Sequence, residues 1–269
     1  MTSAERTTVA AVIPCFEQAG SLPAAIESVL VQTRSADEII VVDDGGADDL
    51  EAVVSVYPSV RLLRQDNRGL AAARNAGLRE ATSEKILFLD ADDEILPDAV
   101  ACGLRCFGAH SDAAFVYGGF EEDGPRGRTI RAARPTDRTD LLRCNWVAMI
   151  ATVLFDRAKL LEAGGFDETL RMCEDWDAYL RLSREHPFAA YDRIVAIYRK
   201  HEASMSADPG ALRGWIDEVR SRERARGLTA VELRAWREGE RVWDLYYGRA
   251  HRWPLKRAAR KVSRALLGK

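Results

Sequence analysis

Short apolar runs rich in β-branched residues alternate with helical patterns through the first half of the chain, and most of these runs end in a turn of acidic or small residues. Val9–Ile13, Glu38–Val42, Val60–Leu63, Lys85–Leu89 and Ala114–Tyr117 read as strands. Between them lie helical signals: Ser21 as a cap before Pro23, with Ile26, Val29 and Leu30 on one face, the alanine-rich Leu70–Ala81, and a third start at Pro97. This alternation predicts an α/β fold with a mostly parallel central sheet flanked by helices. Glu121–Arg138, polar and containing Gly124, Pro125 and Gly127, reads as an excursion from the sheet. Ala151–Phe155 and Ile194–Tyr198 read as further strands, a short helix ends at Gly164-Gly165, and Asp175–Arg184 has helical spacing through Trp176, Tyr179, Leu180 and Leu182.

A chain of 269 residues can bury one large core with a helical appendage. Its 47% hydrophobic and 30% charged residues exclude a disordered protein. No apolar run approaches the roughly 18 residues needed to span a bilayer, and Met1–Thr8 lacks the apolar core of a signal peptide, so a cytoplasmic location is expected. The five cysteines are odd in number and form no Cys-x-x-Cys pair, which argues for free thiols. The net charge of -3 conceals an asymmetry: residues 211–269 hold 16 Lys and Arg against 7 Asp and Glu, so a basic tail follows an acidic body.

In open parallel sheets, ligands bind outside the carboxyl ends of the strands. Four turns fall at such ends: Pro14-Cys15-Phe16-Glu17, Asp43-Asp44-Gly45-Gly46, Asn67-Arg68-Gly69 and Asp90-Ala91-Asp92. One acidic turn is readily a helix cap, but four in register are harder to explain that way. Asp90 and Asp92, leaving a strand on one side, suit a hard divalent cation. Glu174-Asp175 suggests a general base, with a first-turn pair favoured by the helix dipole as the plainer alternative.

The order of these motifs resembles the inverting glycosyltransferases of family 2. It runs through Val12-Ile13-Pro14, Val41-Val42-Asp43-Asp44-Gly45, Asn67-x-Gly69-Leu70-Ala71-x-Ala73-Arg74-Asn75-x-Gly77, Phe88-Leu89-Asp90-x-Asp92-Asp93, Gly164-Gly165-Phe166-Asp167-Glu168, Glu174-Asp175 and Tyr198-Arg199-x-His201. The resemblance implies a GT-A type nucleotide-sugar fold over residues 1–208; residues 209–269 lie outside it and read as a basic helical extension. It implies transfer of one sugar from a nucleoside-diphosphate sugar, by default a UDP-sugar, to a hydroxyl acceptor such as a lipid-linked or cell-surface glycan.

By the same resemblance, Asp43 or Asp44 bonds the nucleobase and the Pro14, Phe16 and Glu17 loop packs on the nucleoside. Asn67, Gly69, Arg74 and Ala91 lie on the nucleotide side, Asp90 faces the ribose, and Asp92 with His201 holds Mg2+ or Mn2+ at the diphosphate. Asp175 is the base, with Glu174 binding the acceptor or orienting the helix start. Gly46-Ala47 and Phe16-Glu17 depart from the usual Ser-Thr and Tyr-Asn, which removes hydroxyls from the nucleoside side. Trp146 and Met149 lie where this fold shapes the acceptor side, though a Trp in an apolar run is more often core.

A sugar-nucleotide nucleotidyltransferase would carry a Gly-rich basic loop after the first strand, which Pro14-Cys15-Phe16-Glu17-Gln18 is not. A silent nucleotide-sugar-binding module is disfavoured by the intact Asp90, Asp92 and Asp175, and a dinucleotide oxidoreductase by the missing Gly-x-Gly-x-x-Gly. The last helical stretch, Leu255–Leu267, has an apolar stripe edged by basic residues. It suits peripheral contact with the inner face of the cytoplasmic membrane, or docking on the acidic body, better than nucleic acid.

Overall fold

The computed structural model describes residues 7–124, 127–200 and 208–248. The chain begins with three strand and helix units: β1 Val9–Cys15, α1 Leu22–Leu30, β2 Glu38–Asp43, α2 Leu50–Val54, β3 Val60–Arg64 and α3 Leu70–Glu80. It continues through β4 Lys85–Phe88, the short β5 Glu94–Ile95, α4 Ala99–Ala109 and the hairpin of β6 Phe115–Gly124 with β7 Gly127–Arg131. Then come α5 Arg138–Arg143, β8 Val153–Asp156, α6 Arg157–Glu162, α7 Glu174–Glu185, β9 Phe188–Arg199, α8 Pro209–Ala225 and α9 Ala230–Trp243.

The strands order as β3-β2-β1-β4-β8-β6-β9-β5, with β7 paired to β6. β3, β2, β1 and β4 are parallel throughout, so their carboxyl ends share one edge. Beyond them β8 runs antiparallel to both β4 and β6, and β9 lies parallel to β6.

Side chains along these strands alternate between two cores, as a period of two requires. Val9, Ala11, Ile13, Ile39, Val41 and Leu87 pack with α1, α2 and α4. Ala10, Val12, Ile40, Val42, Ile86 and Phe88 pack with α3, α6, α7, α8 and α9. Both faces are covered, which is why the strands read as continuous apolar runs. Gly77 lets α3 settle on β1: a Cβ there would lie 2.3 Å from Val12 Cγ1.

Three expectations change. Glu121–Arg138 is no excursion, because β6 continues to Gly124 and β7 pairs back upon it. The last strand begins at Phe188 rather than Ile194, its first half masked in the sequence by polar Tyr191-Asp192-Arg193. Ser21 caps no N–H of α1, since its hydroxyl donates to Gln18 O at 3.2 Å, and Leu30 turns outward while Leu22 and Ala25 join Ile26 and Val29. No helix among the described residues is long and apolar enough to cross a membrane.

The two C-terminal helices share a core with α7. Trp243 meets Trp176 with ring centroids 5.3 Å apart. The fully buried Glu223 of α8 accepts from Arg184 at 2.6 Å, from Arg226 at 3.1 Å and from Arg138. Arg226 also donates to Asp177 of α7 at 2.8 Å.

Candidate active site

The carboxyl edge of the four parallel strands gathers the expected residues. Cys15 lies in register with Asp43 on β2, and Asp43 with Arg64 on β3. Pro14 is buried within β1, and the loop after it turns at Glu17, whose φ is 53°. Phe16 stands 41% exposed beside it. A Cβ on Gly46 would lie 3.0 Å from Glu17 N and 3.6 Å from the Phe16 ring, so the first two turns touch. The two departures noted in the sequence, Phe16-Glu17 and Gly46, are therefore neighbours.

Asp43 and Asp44 have different tasks. Asp44 accepts from Arg68 N at 2.9 Å, Gly69 N at 2.9 Å and Gln65 Nε2 at 2.7 Å. Both its oxygens thus build the turn leading into α3, while Asp43, also buried, is less engaged. Asp43 takes one bond from Gly45 N at 3.1 Å and lies 3.7 Å from Arg64 Nε. Asn67 is exposed on this turn, and Gly69 starts α3 with φ 90°.

Arg74 is the largest surprise. It is 2% exposed, so its guanidinium lies inside the protein. Nη2 donates to Asp90 Oδ1 at 2.6 Å and Nη1 donates to Glu174. Burial alone would lower its pKa, but the Asp90 and Glu174 carboxylates more than offset that and hold it well above its usual value. Its guanidinium is engaged by two carboxylates from different parts of the fold. Sequence reading missed this because a charge on an alanine-rich helix looks solvated.

The turn after β4 is crowded with negative charge. Ala91 is fully buried in this turn. Asp93, unassigned from sequence, is buried and accepts from Arg199 N at 3.0 Å, which ties the turn to the end of β9. Burial, then the nearby Asp90 and Asp92 carboxylates, push Asp93 up to about 8. Asp92 is partly exposed on the same turn. Among the described residues no three His, Cys, Asp or Glu side chains gather as a metal site, and His201 lies outside them.

Glu174 and Asp175 open α7, behind Cys173 at φ 62°. Glu174 is buried on Arg74, so it anchors the helix start. Asp175 keeps a little exposure, yet it sits deep among protein atoms and accepts from Trp176 N at 2.7 Å. Burial and then the Glu174 charge raise it to about 7, against the pull of Arg74. A carboxyl near neutrality is suited to proton transfer.

Asn75, the next residue after Arg74, holds α3 to the Gly165-Phe166 turn. Its Nδ2 donates to Phe166 O at 2.7 Å and its Oδ1 accepts from Phe166 N at 2.8 Å. Two adjacent polar residues in a helix of Ala and Gly were the available signal. Met149 is core, while half-buried Trp146 stacks under the Arg134 guanidinium at 4.2 Å. All five cysteines are free.

Comparison with known proteins agrees with this geometry. A family model described as glycosyl transferase family 2 matches residues 10–173, and one described as glycosyltransferase like family 2 matches residues 139–254. An uncharacterized glycosyltransferase, YwdF, of Bacillus subtilis is 30% identical over 269 residues, covering 91% of this chain and 99% of its own. One from Haemophilus influenzae is 25% identical over 219 residues, covering 78% and 74%. Others are longer: the chain spans 33% of an uncharacterized glycosyltransferase of Rickettsia felis, with 33% identity over 201 residues that cover 72% of this chain. Among solved structures, Staphylococcus aureus TarS 1-349 superposes with a TM-score of 0.71 at 17% identity, covering 91% of this chain and 74% of that one. The mannosyltransferase PcManGT of Pyrobaculum calidifontis, in complex with GDP-Man and Mn2+, gives a TM-score of 0.69 at 18% identity, covering 99% and 77%. Those likenesses establish a GT-A fold; with a family model matched over more than half its length, the chain belongs to glycosyl transferase family 2 and is a glycosyltransferase.

Proposed function

We propose that this glycosyltransferase moves a single sugar from a nucleoside-diphosphate sugar to a hydroxyl acceptor, inverting the anomeric centre, with Asp175 as the base. The observation that carries this reading is the reach of one arginine: Glu174, next to Asp175, and Asp90, on the donor turn, meet the same guanidinium. The base is thereby held close to the nucleotide side, as single displacement demands.

Asp43 accepts from a nucleobase N–H, since a carboxylate only accepts, and exposed Phe16 covers the base plane. Asp90 faces the ribose. Asp175 takes the proton from the acceptor hydroxyl as that oxygen attacks opposite the diphosphate, and Glu174 stays paired with Arg74.

The donor turn fits a hard cation. Asp90 and Asp92 bring negative charge there, and burial first, then these two carboxylates, raise Asp93. Asp92 is the described residue that would hold Mg2+ or Mn2+, with His201 as a second ligand from outside the described residues. A cation bound by one or two carboxylates completes its shell with phosphate oxygens and water. When bound, it would neutralise charge on the departing diphosphate.

UDP-sugars remain the default donor: one TarS structure holds UDP-GlcNAc, whereas PcManGT holds GDP-Man. The acceptor side suits a lipid-linked glycan if the basic tail meets a membrane. A thermal-shift panel of UDP, GDP, dTDP and CMP with and without Mn2+ tests the donor side, because a ligand of the folded state raises the midpoint. A metal-dependent rise with one nucleoside diphosphate is expected, and no rise with any would remove the nucleotide-sugar reading.

A further inference from the structure

We propose that Arg74 is a positioning residue that couples the donor turn to the base helix, so that occupation of the nucleotide side fixes the first turn of α7. This rests on the reading of Asp175 as the base and of the Asp90 turn as the donor side.

One planar guanidinium serves two carboxylates from different parts of the fold. Asp90 follows β4, and Glu174 opens α7. Arg74 itself projects from α3, whose own position is fixed twice over. Gly77 seats α3 against Val12, and Asn75 exchanges two hydrogen bonds with Phe166. The Phe166 ring lies 5.7 Å from the guanidinium carbon, and Nε is buried without a hydrogen-bond partner among the described residues. The cation therefore has little room to retreat and no solvent to replace a lost carboxylate.

Glu174 is nearly as buried as Arg74, so moving it off the guanidinium would leave its charge unpaired in a low-dielectric interior, whereas Asp90, 27% exposed, is the partner a ligand can reach. A ligand that sets Asp90 in one position thus sets the guanidinium, and the guanidinium sets Glu174. Asp175 is the next residue along the same turn. The charged and titratable groups facing Asp175 are Glu174, Arg74 and Asp90, together with Tyr179 and Cys173, and Arg74 supplies the positive charge. Lysine would keep that charge but not the fork that engages two carboxylates at once.

Hydrogen–deuterium exchange of the full chain, with and without saturating UDP and Mn2+ and with GDP in parallel, tests the coupling. In the wild type, the bound nucleotide is expected to slow exchange across residues 173–178 at least about threefold. Arg74→Met should bind nucleotide more weakly and, once saturated, show no slowing there, while Arg74→Lys shows a partial response. An arginine that only supports the fold would raise baseline exchange in Arg74→Met but leave the nucleotide-induced slowing intact, and that result overturns the proposal. Should Arg74→Met fail to fold, a full wild-type response in Arg74→Lys overturns it equally. Failure of the wild type to bind either nucleotide would instead remove the donor-site reading. Undiminished turnover in Asp175→Asn would remove the base assignment while leaving the coupling measurable.

Discussion

At Asp175, burial and the Glu174 carboxylate hold the pKa near about 7. A base must be ionised to accept a proton, so turnover should fall as pH drops below about 7, and a pH–rate profile reads that limb directly. Asp175→Asn should lower turnover at least about 100-fold while nucleotide affinity stays near the wild-type value. Stability supplies an independent reading. The folded-state pKa lies above the unfolded one, so this group favours the fold while protonated, and that contribution is lost as pH rises through about 7. The difference in Tm between Asp175→Asn and wild type should therefore be more positive at pH 8 than at pH 5. At this scale the sequence disclosed the acids, because Asp92 and Asp175 follow strand and helix patterns that place them at element ends. It did not disclose their partners. The engagement of Asp44 depends on backbone N–H groups of Arg68 and Gly69, and the inward turn of Arg74 depends on a helix 100 residues away.

The parallel strands β2, β1 and β4 were legible as elements because both faces are buried and apolar, and the edge strand β3 from the apolar Val60, Leu62 and Leu63 between turn signals. The second half of the sheet was harder to read. β6 turns polar after Phe120, since its far end pairs with exposed β7, so periodicity alone suggested a loop. α3 shows how an element can be fixed by the absence of a side chain. Gly77→Ala would drive a methyl into Val12 and should cost about 1–3 kcal/mol of stability, measurable by chemical denaturation. Pairing it with Val12→Ala should recover part of the loss. The contact between α7 and α8 depends on buried charge. Glu223→Ala would leave Arg138, Arg184 and Arg226 without their shared acceptor, and should cost about 3–5 kcal/mol, seen as a lower Tm. Because α7 carries Asp175, turnover should fall with it.

Across the whole molecule, charge is distributed unevenly. The body is acidic, and the tail after Trp243 is rich in Lys and Arg. Residues 249–269 lie outside those described, so the stripe seen in the sequence of Leu255–Leu267 is a prediction from composition and spacing. Deleting Pro254–Lys269 should leave nucleotide binding intact and weaken attachment to anionic vesicles, as co-sedimentation at low and physiological salt would report. Equal binding by both forms would exclude the tail as an anchor, and an unfolded truncation would favour its docking on the body. In the proposed donor site, Asp92 serves the cation and Asp175 serves the acceptor. Isothermal titration of UDP with Mn2+, and GDP in parallel, into wild type, Asp92→Asn and Asp175→Asn separates these roles. The account predicts metal-dependent binding that survives in Asp175→Asn and is lost in Asp92→Asn; unchanged affinity in Asp92→Asn would contradict it.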